Sequence, residues 1–152
     1  KPFCAVAVDL KKGKPTRLNT GNVSKALSAS CAIPGVFQPV KIDGKTYVDG
    51  GILRVVPTQT VREMGAEKVV GIHLNSAQAD GTQSTKRRDV VMTAYKLSIN
   101  VNAELCEQYS DIMLKPRLND YMPYSFKYAE EMLKIGEQAT LDNLDKIKAL
   151  LK

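Results

Sequence analysis

Asp49, Gly50 and Gly51 close the segment KTYVDGG (45–51), where a run with strand character ends in a carboxylate followed at once by two glycines. Glycine has no side chain and adopts φ > 0 freely, so this carboxylate stands where a neighbouring backbone or a substrate can come close. In that position it could act as a general base, taking a proton from a hydroxyl on another loop. With an unperturbed pKa of about 4 it is a weak base in water, and a partly dehydrated site would strengthen it. The alternative is structural: Asp49 caps its own backbone at the end of a hairpin.

Few other residues offer chemistry. The single histidine, His73, sits in the run VVGIHLN and reads as a packed or edge residue. A Ser-His-Asp triad is therefore not readily assembled from this chain, and hydrolysis here would need a carboxylate acting directly. Ser28 and Ser30 fall in a helix near the DGG box. Cys31 with His73 would make a thiol hydrolase, a reading that no surrounding sequence supports. Arg54 follows the box and could steer a carboxylate or a phosphate headgroup, or simply face solvent. Cys4, Cys31 and Cys106 form neither an even set nor a metal spacing, so no metal site and no cofactor are expected. Cys4 and Cys106 read as small core side chains, and Met92, Met113, Met122 and Met132 as fillers of core or lipid-facing gaps.

These residues need elements to position them. FCAVAVDL (3–10) reads as a buried strand leading into a turn at KKGKP. NVSKALSASCAIPG (22–35) reads as a short helix capped by Asn22 or Ser24 and ended by Pro34 and Gly35. VKIDGKTYVD (40–49) is a hairpin around an Asp43-Gly44 turn. A helix over 57–65 has Pro57 in its first turn and Gly65 past its end, and KVVGIHLN (68–75) is a second buried strand. The polar stretch 76–86 reads as a mobile loop. Val90, Ala94, Leu97, Val101 and Leu105 recur at helical spacing over 87–109. A short strand at 111–116 and one long amphipathic helix over about 126–151 complete the chain. Strands alternating with helices predict a three-layer α/β/α domain with a mainly parallel central sheet, in which Asp49 lies beyond the carboxyl end of a strand.

The 152 residues suffice for one domain, with 43% hydrophobic and 25% charged residues and no repeat. The longest apolar runs are too short to cross a bilayer, and nothing before the first strand reads as a signal peptide. Reduced thiols and solubility point to a cytoplasmic protein. The net charge of +6 is spread widely, without the dense basic face or aromatic readers of a nucleic-acid binder. Weak peripheral contact with anionic lipid fits that charge, as does a merely solvated surface. The chain opens KPFCAVAVDL, with Lys where an initiator Met would stand, and reaches a strand within two residues. It is expected to be the later part of a longer polypeptide.

SASCAIPGVFQPVKIDGKTYVDGGILRVVPTQTVREMGAEKVVGIHL (28–74) resembles the patatin-like phospholipase family, bacterial type. Ala32, Pro34, Gly35, Phe37, the YVDGG box, Pro57 and the step REMGAEKVVGI carry the likeness, and the tail SDIMLKPRL…YAEEMLKIGEQAT resembles the end of bacterial members. The resemblance implies a modified α/β-hydrolase-like fold and a serine acyl hydrolase working with a Ser-Asp dyad, hence lipid degradation. It matches Asp49 to the dyad aspartate in the family's D-G-[GA] box, with Gly50 and Gly51 as the motif glycines. The family's G-x-S-x-G elbow and its glycine-rich oxyanion loop do not occur in this sequence. Residues 1–152 are thus expected to be the C-terminal part of one patatin-like domain lacking its N-terminal portion. Its partner would be its own N-terminal segment carrying the nucleophile serine, joined by sheet hydrogen bonds, and its substrate a lipid or acyl ester. The isolated chain would be inactive. The rival expectation is a non-catalytic binding or regulatory module derived from a hydrolase.

Overall fold

The computed structural model describes residues 2–74, 83–118, 121 and 126–151. At its centre lies a four-stranded sheet in the order β2–β1–β4–β3, made of β1 (Ala5–Asp9), β2 (Lys14–Leu18), β3 (Val40–Ile42) and β4 (Lys45–Asp49). Every residue of β1 is buried, as its apolar run implies. The strand ends at Asp9, whose Oδ1 accepts hydrogen bonds from the backbone N–H groups of Lys11 (3.0 Å) and Lys12 (3.1 Å). This Asx turn, with Gly13 at φ +62°, folds the chain back into β2, a strand absent from the sequence expectation. Pro15 can sit in β2 because an edge strand is paired on one side only.

The second hairpin follows its sequence closely. Asp43 (φ 48°) and Gly44 (φ 73°) both occupy the left-handed region, as a two-residue turn matched to strand twist requires. They set Val40 opposite Tyr47 and Ile42 opposite Lys45. β4 then pairs with β1, with Asp49 opposite Ala7.

All three pairings in this sheet are antiparallel. Parallel pairing is confined to a separate two-stranded sheet, β5 (Val70–Ile72) with β6 (Ile112–Leu114). The mixed α/β character stands, but the described residues do not form the mainly parallel sheet expected. The physical reason is the pair of tight hairpins, which can join only antiparallel neighbours. β1 has β2 beside its whole length and β4 beside Ala7–Asp9, both from this chain.

α1 (Val23–Ser30) starts where Asn22 Oδ1 accepts from the Lys25 N–H at 3.0 Å. It buries Ala26 and Ala29, and Ala29, Ala7 and Tyr47 form the core flanked by Leu18, Val40 and Ile42. α2 (Thr58–Glu63) follows Pro57 and stops before Gly65 at φ +94°. α3 (Arg87–Glu107) covers most of its expected span, yet it buries Ile99, Ala103 and Cys106. The recurrent set Val90, Leu97, Val101 and Leu105 faces outward, with Val101 66% exposed. The expected loop over 76–86 lies largely outside the described residues.

The expected long C-terminal helix is two, α4 (Ala129–Leu141) and α5 (Leu144–Ala149). Asn143 Nδ2 donates back to the Ala139 carbonyl at 3.0 Å and Asp142 Oδ1 accepts from Gln138 Nε2 at 2.6 Å. The Gln138–Asp142 pair supports the last turn of α4, whereas Asn143, a short polar side chain competing for a helical carbonyl, favours the break. No helix among the described residues is long and apolar enough to cross a membrane.

A polar clamp ties α2 to the smaller sheet. Arg62 donates from Nε to the Tyr109 carbonyl (3.0 Å), from Nη1 to the Glu67 carbonyl, and from Nη2 to Asp111 Oδ2 (2.6 Å). Asp111 Oδ2 also accepts from the Val69 N–H at 2.7 Å. That backbone donor, helped by Arg62, holds the Asp111 carboxyl below the usual carboxylate range.

Candidate functional site

Beyond Asp49 the chain leaves the sheet in a single 3₁₀ turn, Gly50–Ile52, closed by hydrogen bonds from Leu53 N (3.1 Å) and Arg54 N (2.8 Å) to the Gly50 carbonyl. Asp49 is the cap of this turn: its Oδ1 accepts from the Gly51 N–H at 2.6 Å. Its own N–H donates to the Ala32 carbonyl at 3.0 Å, fixing the segment that follows α1. The structural role considered for Asp49 is therefore present. It uses one part of the carboxylate.

The Tyr95 hydroxyl, from α3, also hydrogen-bonds the Asp49 carboxylate. Partial burial raises the Asp49 pKa above the ordinary carboxylate value, while the Gly51 N–H and the Tyr95 hydroxyl oppose that rise. The result is a carboxylate more basic than an exposed one, held from two sides.

The two glycines serve different ends. A Cβ on Gly50 would lie 2.2 Å from the Val6 carbonyl oxygen and 2.8 Å from its carbon, inside the central strand β1. Gly50 is there because the turn crosses backbone directly. A Cβ on Gly51 would instead lie 3.0 Å from Asp49 Oδ1 and 3.3 Å from the Tyr95 hydroxyl oxygen. That glycine keeps space open beside the carboxylate.

α3 braces the turn from outside. Asn102 Nδ2 donates to the Ile52 carbonyl at 2.7 Å and to the Ser98 carbonyl at 2.9 Å. Tyr95 and Asn102 are seven residues apart, two helical turns, and so share a face with the buried Ile99 and Cys106. Sequence reasoning missed both residues. The available signal was a tyrosine and an asparagine flanking Ile99, hidden by the more regular aliphatic stripe that faces outward.

The other sequence candidates separate. Ser30 Oγ donates to the Val6 carbonyl at 2.8 Å, the same carbonyl that Gly50 crosses, so it supports the site without reaching the carboxylate. Ser28 and Cys31 are exposed. His73 is buried at the end of β5, its N–H bonded to the Leu114 carbonyl and its Nε2 without a partner among the described residues. Burial, then the Lys115 charge, lowers its pKa. It takes no part in the hydrogen bonds of Asp49. Among the described residues no group of three or more His, Cys, Asp or Glu could hold a metal ion.

Comparison with known proteins bears on this same region. The family model described as Patatin-like phospholipase matches residues 6–62, which include most of β1, the strands β2 to β4, α1, the DGG turn and most of α2. The match lies in the N-terminal part of the chain and does not reach the tail that carried the rest of the sequence likeness. An uncharacterized NTE family protein of Mycobacterium bovis is 38% identical over 78 residues. Two from strains of Mycobacterium tuberculosis share the same figures. The aligned stretch covers 51% of this chain and 22% of each relative, so the chain spans a minor part of their length.

Proposed function

Since the Asp49 turn lies inside a segment that matches the patatin-like phospholipase family, we propose that this chain supplies the aspartate of a Ser-Asp dyad in a lipid acyl hydrolase. The nucleophile serine would come from a segment outside these 152 residues, where the G-x-S-x-G elbow that this sequence lacks would lie. One observation carries the reading: a carboxylate made more basic by burial, held at a strand end by a backbone N–H and a tyrosine, beside a glycine that keeps its flank open.

The chemistry follows from that placement. Asp49 accepts the proton of the serine hydroxyl as the serine oxygen bonds to the ester carbonyl carbon. The tetrahedral intermediate collapses with cleavage of the carbon–oxygen ester bond. Asp49 returns its proton to the departing alcohol, leaving an acyl-serine. Water then attacks the acyl carbon and gives a proton to Asp49; the bond from that carbon to the serine oxygen breaks, Asp49 passes the proton to that oxygen, and the fatty acid leaves with serine and carboxylate both restored. The outward aliphatic side chains of α3, with Leu133 73% exposed on α4, support a covering segment of the same polypeptide.

A fluorophosphonate probe tests this reading. Full-length protein should be labelled at a serine outside residues 1–152, and this chain alone should stay unlabelled. Labelling of any serine within the chain would overturn the dyad assignment. A full-length protein that resists the probe altogether would point to a non-catalytic module.

Tyr95 is a positioning residue in this scheme. Its hydrogen bond favours the charged carboxylate, so Tyr95→Phe should raise the Asp49 pKa further. A general base works deprotonated, so activity falls as pH drops through that pKa. The acidic limb of kcat/KM in the variant should therefore move to higher pH. An unmoved limb would mean that the limb does not report Asp49.

A further inference from the structure

On the side of β1 that faces away from α1, the β1–β2 hairpin and α2 leave a cleft of about 310 Å³ between them. Strand alternation explains the division: Ala7 points into the α1 core, while Val6 and its cross-strand partner Arg17 point the other way. The volume is at the low end for small-ligand sites, which run from roughly 300 to 1,000 Å³.

Charge gives the cleft its character. Arg17 enters it from β2 and Arg54 from beyond the DGG turn, against the single carboxylate of Glu63; Lys14 and Thr16, on the other face of β2, border it, and Thr60 adds to its lining. Arg54 is short of partners. Its side chain is only 17% exposed, its Nη1 makes no hydrogen bond among the described residues, and its Nη2 stands 3.9 Å from Glu63 Oε1, beyond hydrogen-bond reach. Glu63 Oε1 is itself engaged by Gln59 Nε2 at 3.1 Å. Arg17 Nη1 reaches the Glu63 carbonyl only at 3.5 Å.

A largely buried guanidinium with so few partners is costly unless a further acceptor completes it. Guanidinium presents its donors in a planar fork suited to two oxygens of one tetrahedral anion. We infer that this cleft binds a phosphate-type oxyanion, either free phosphate or a phosphate carried on a lipid, with Arg54 as anchor and Arg17 as flanking cation. The inference stands apart from the dyad, because the cleft would bind its anion whether or not Asp49 is a base.

The test uses the full-length protein and two probes. Calorimetric titration with inorganic phosphate reads the free anion, and co-sedimentation with phosphatidylcholine vesicles, with and without phosphatidic acid, reads the lipid-borne one. Saturable one-to-one binding in either arm is expected, and the arm that saturates identifies the source. Arg54→Gln and Arg17→Gln should each weaken it about tenfold, while Lys25→Gln on α1 should leave it unchanged. Should Arg54→Gln fail to fold, the exposed Arg17→Gln alone carries the same expectation. Absence of saturable binding in both arms, retained affinity in the cleft variants, or an equal loss in Lys25→Gln would each overturn the inference. The last result would mean that only diffuse positive charge was being read.

Discussion

Asp49→Asn in the full-length protein should lower acyl-ester hydrolysis by about 10²–10⁴-fold, the usual cost of removing a general base, while the fold persists. Asparagine keeps an Oδ1 that can accept from the Gly51 N–H, so the cap survives. What it loses is the capacity to take a proton. The stability of the variant runs opposite to its activity. Burial raises the folded-state pKa of Asp49, so the stabilising contribution of this group is complete at low pH and is lost as pH rises through that pKa. At neutral pH the native protein therefore holds a charge that its fold disfavours. The asparagine variant should unfold at an equal or higher denaturant concentration than the parent. Turnover of a p-nitrophenyl acyl ester retained within roughly threefold, far inside the range expected for a lost base, would remove Asp49 from the mechanism.

Gly50→Ala should be the most damaging small substitution in the region. Its methyl group would meet the Val6 carbonyl at 2.2 Å, and that carbonyl belongs to the fully buried strand at the centre of the sheet. Val6 is paired with Arg17 of β2 and its carbonyl accepts from Ser30 Oγ, so this backbone cannot retreat as a side chain can. A cost of about 3 kcal/mol or more is expected, at the upper end for overpacking. Gly51→Ala has only the ends of Asp49 and Tyr95 to displace, by a few tenths of an ångström, and should cost well under about 1 kcal/mol, within the range of tolerated changes. That difference agrees with a D-G-[GA] box, in which the first glycine is fixed and the second can be alanine. Urea unfolding of the two variants beside the parent decides the matter. Equal midpoints for Gly50→Ala and parent would contradict the close approach.

The features legible in the sequence were those written into local chemistry. The Asp43-Gly44 turn, the Asn22 cap, the Gly65 stop and the strand end at Asp49 all depend on a few neighbouring residues and are found where they were read, while Pro57 stands one residue before its helix. The features that escaped depend on distant partners. β2 carries Lys14, Pro15 and Arg17, a polar pattern tolerable only because the strand lies at an edge with one neighbour. Sheet direction was read from the alternation of strands and helices, whereas two hairpins decided it. The aliphatic repeat of α3 indicated a helix correctly and its buried face wrongly, since the face that packs needed Tyr95 and Asn102 to reach the DGG turn. At the site, the sequence pointed to the carboxylate but not to what holds it.

The Arg62–Asp111 clamp has a consequence for the order in which acid acts on this protein. Protonating Asp111 would release two donors at once, the Val69 N–H and the Arg62 guanidinium, and loosen α2 from the smaller sheet. Its carboxyl is held below the ordinary range, so the clamp's contribution is present above that range and is lost only as pH falls through the lowered value. Asp49, raised by burial, takes up its proton first. Between those two events lies an interval in which the scaffold is intact and the carboxylate silent. Acid that reaches the first event without the second would then work as a pause in the proposed reaction, lifted when the proton leaves Asp49 again.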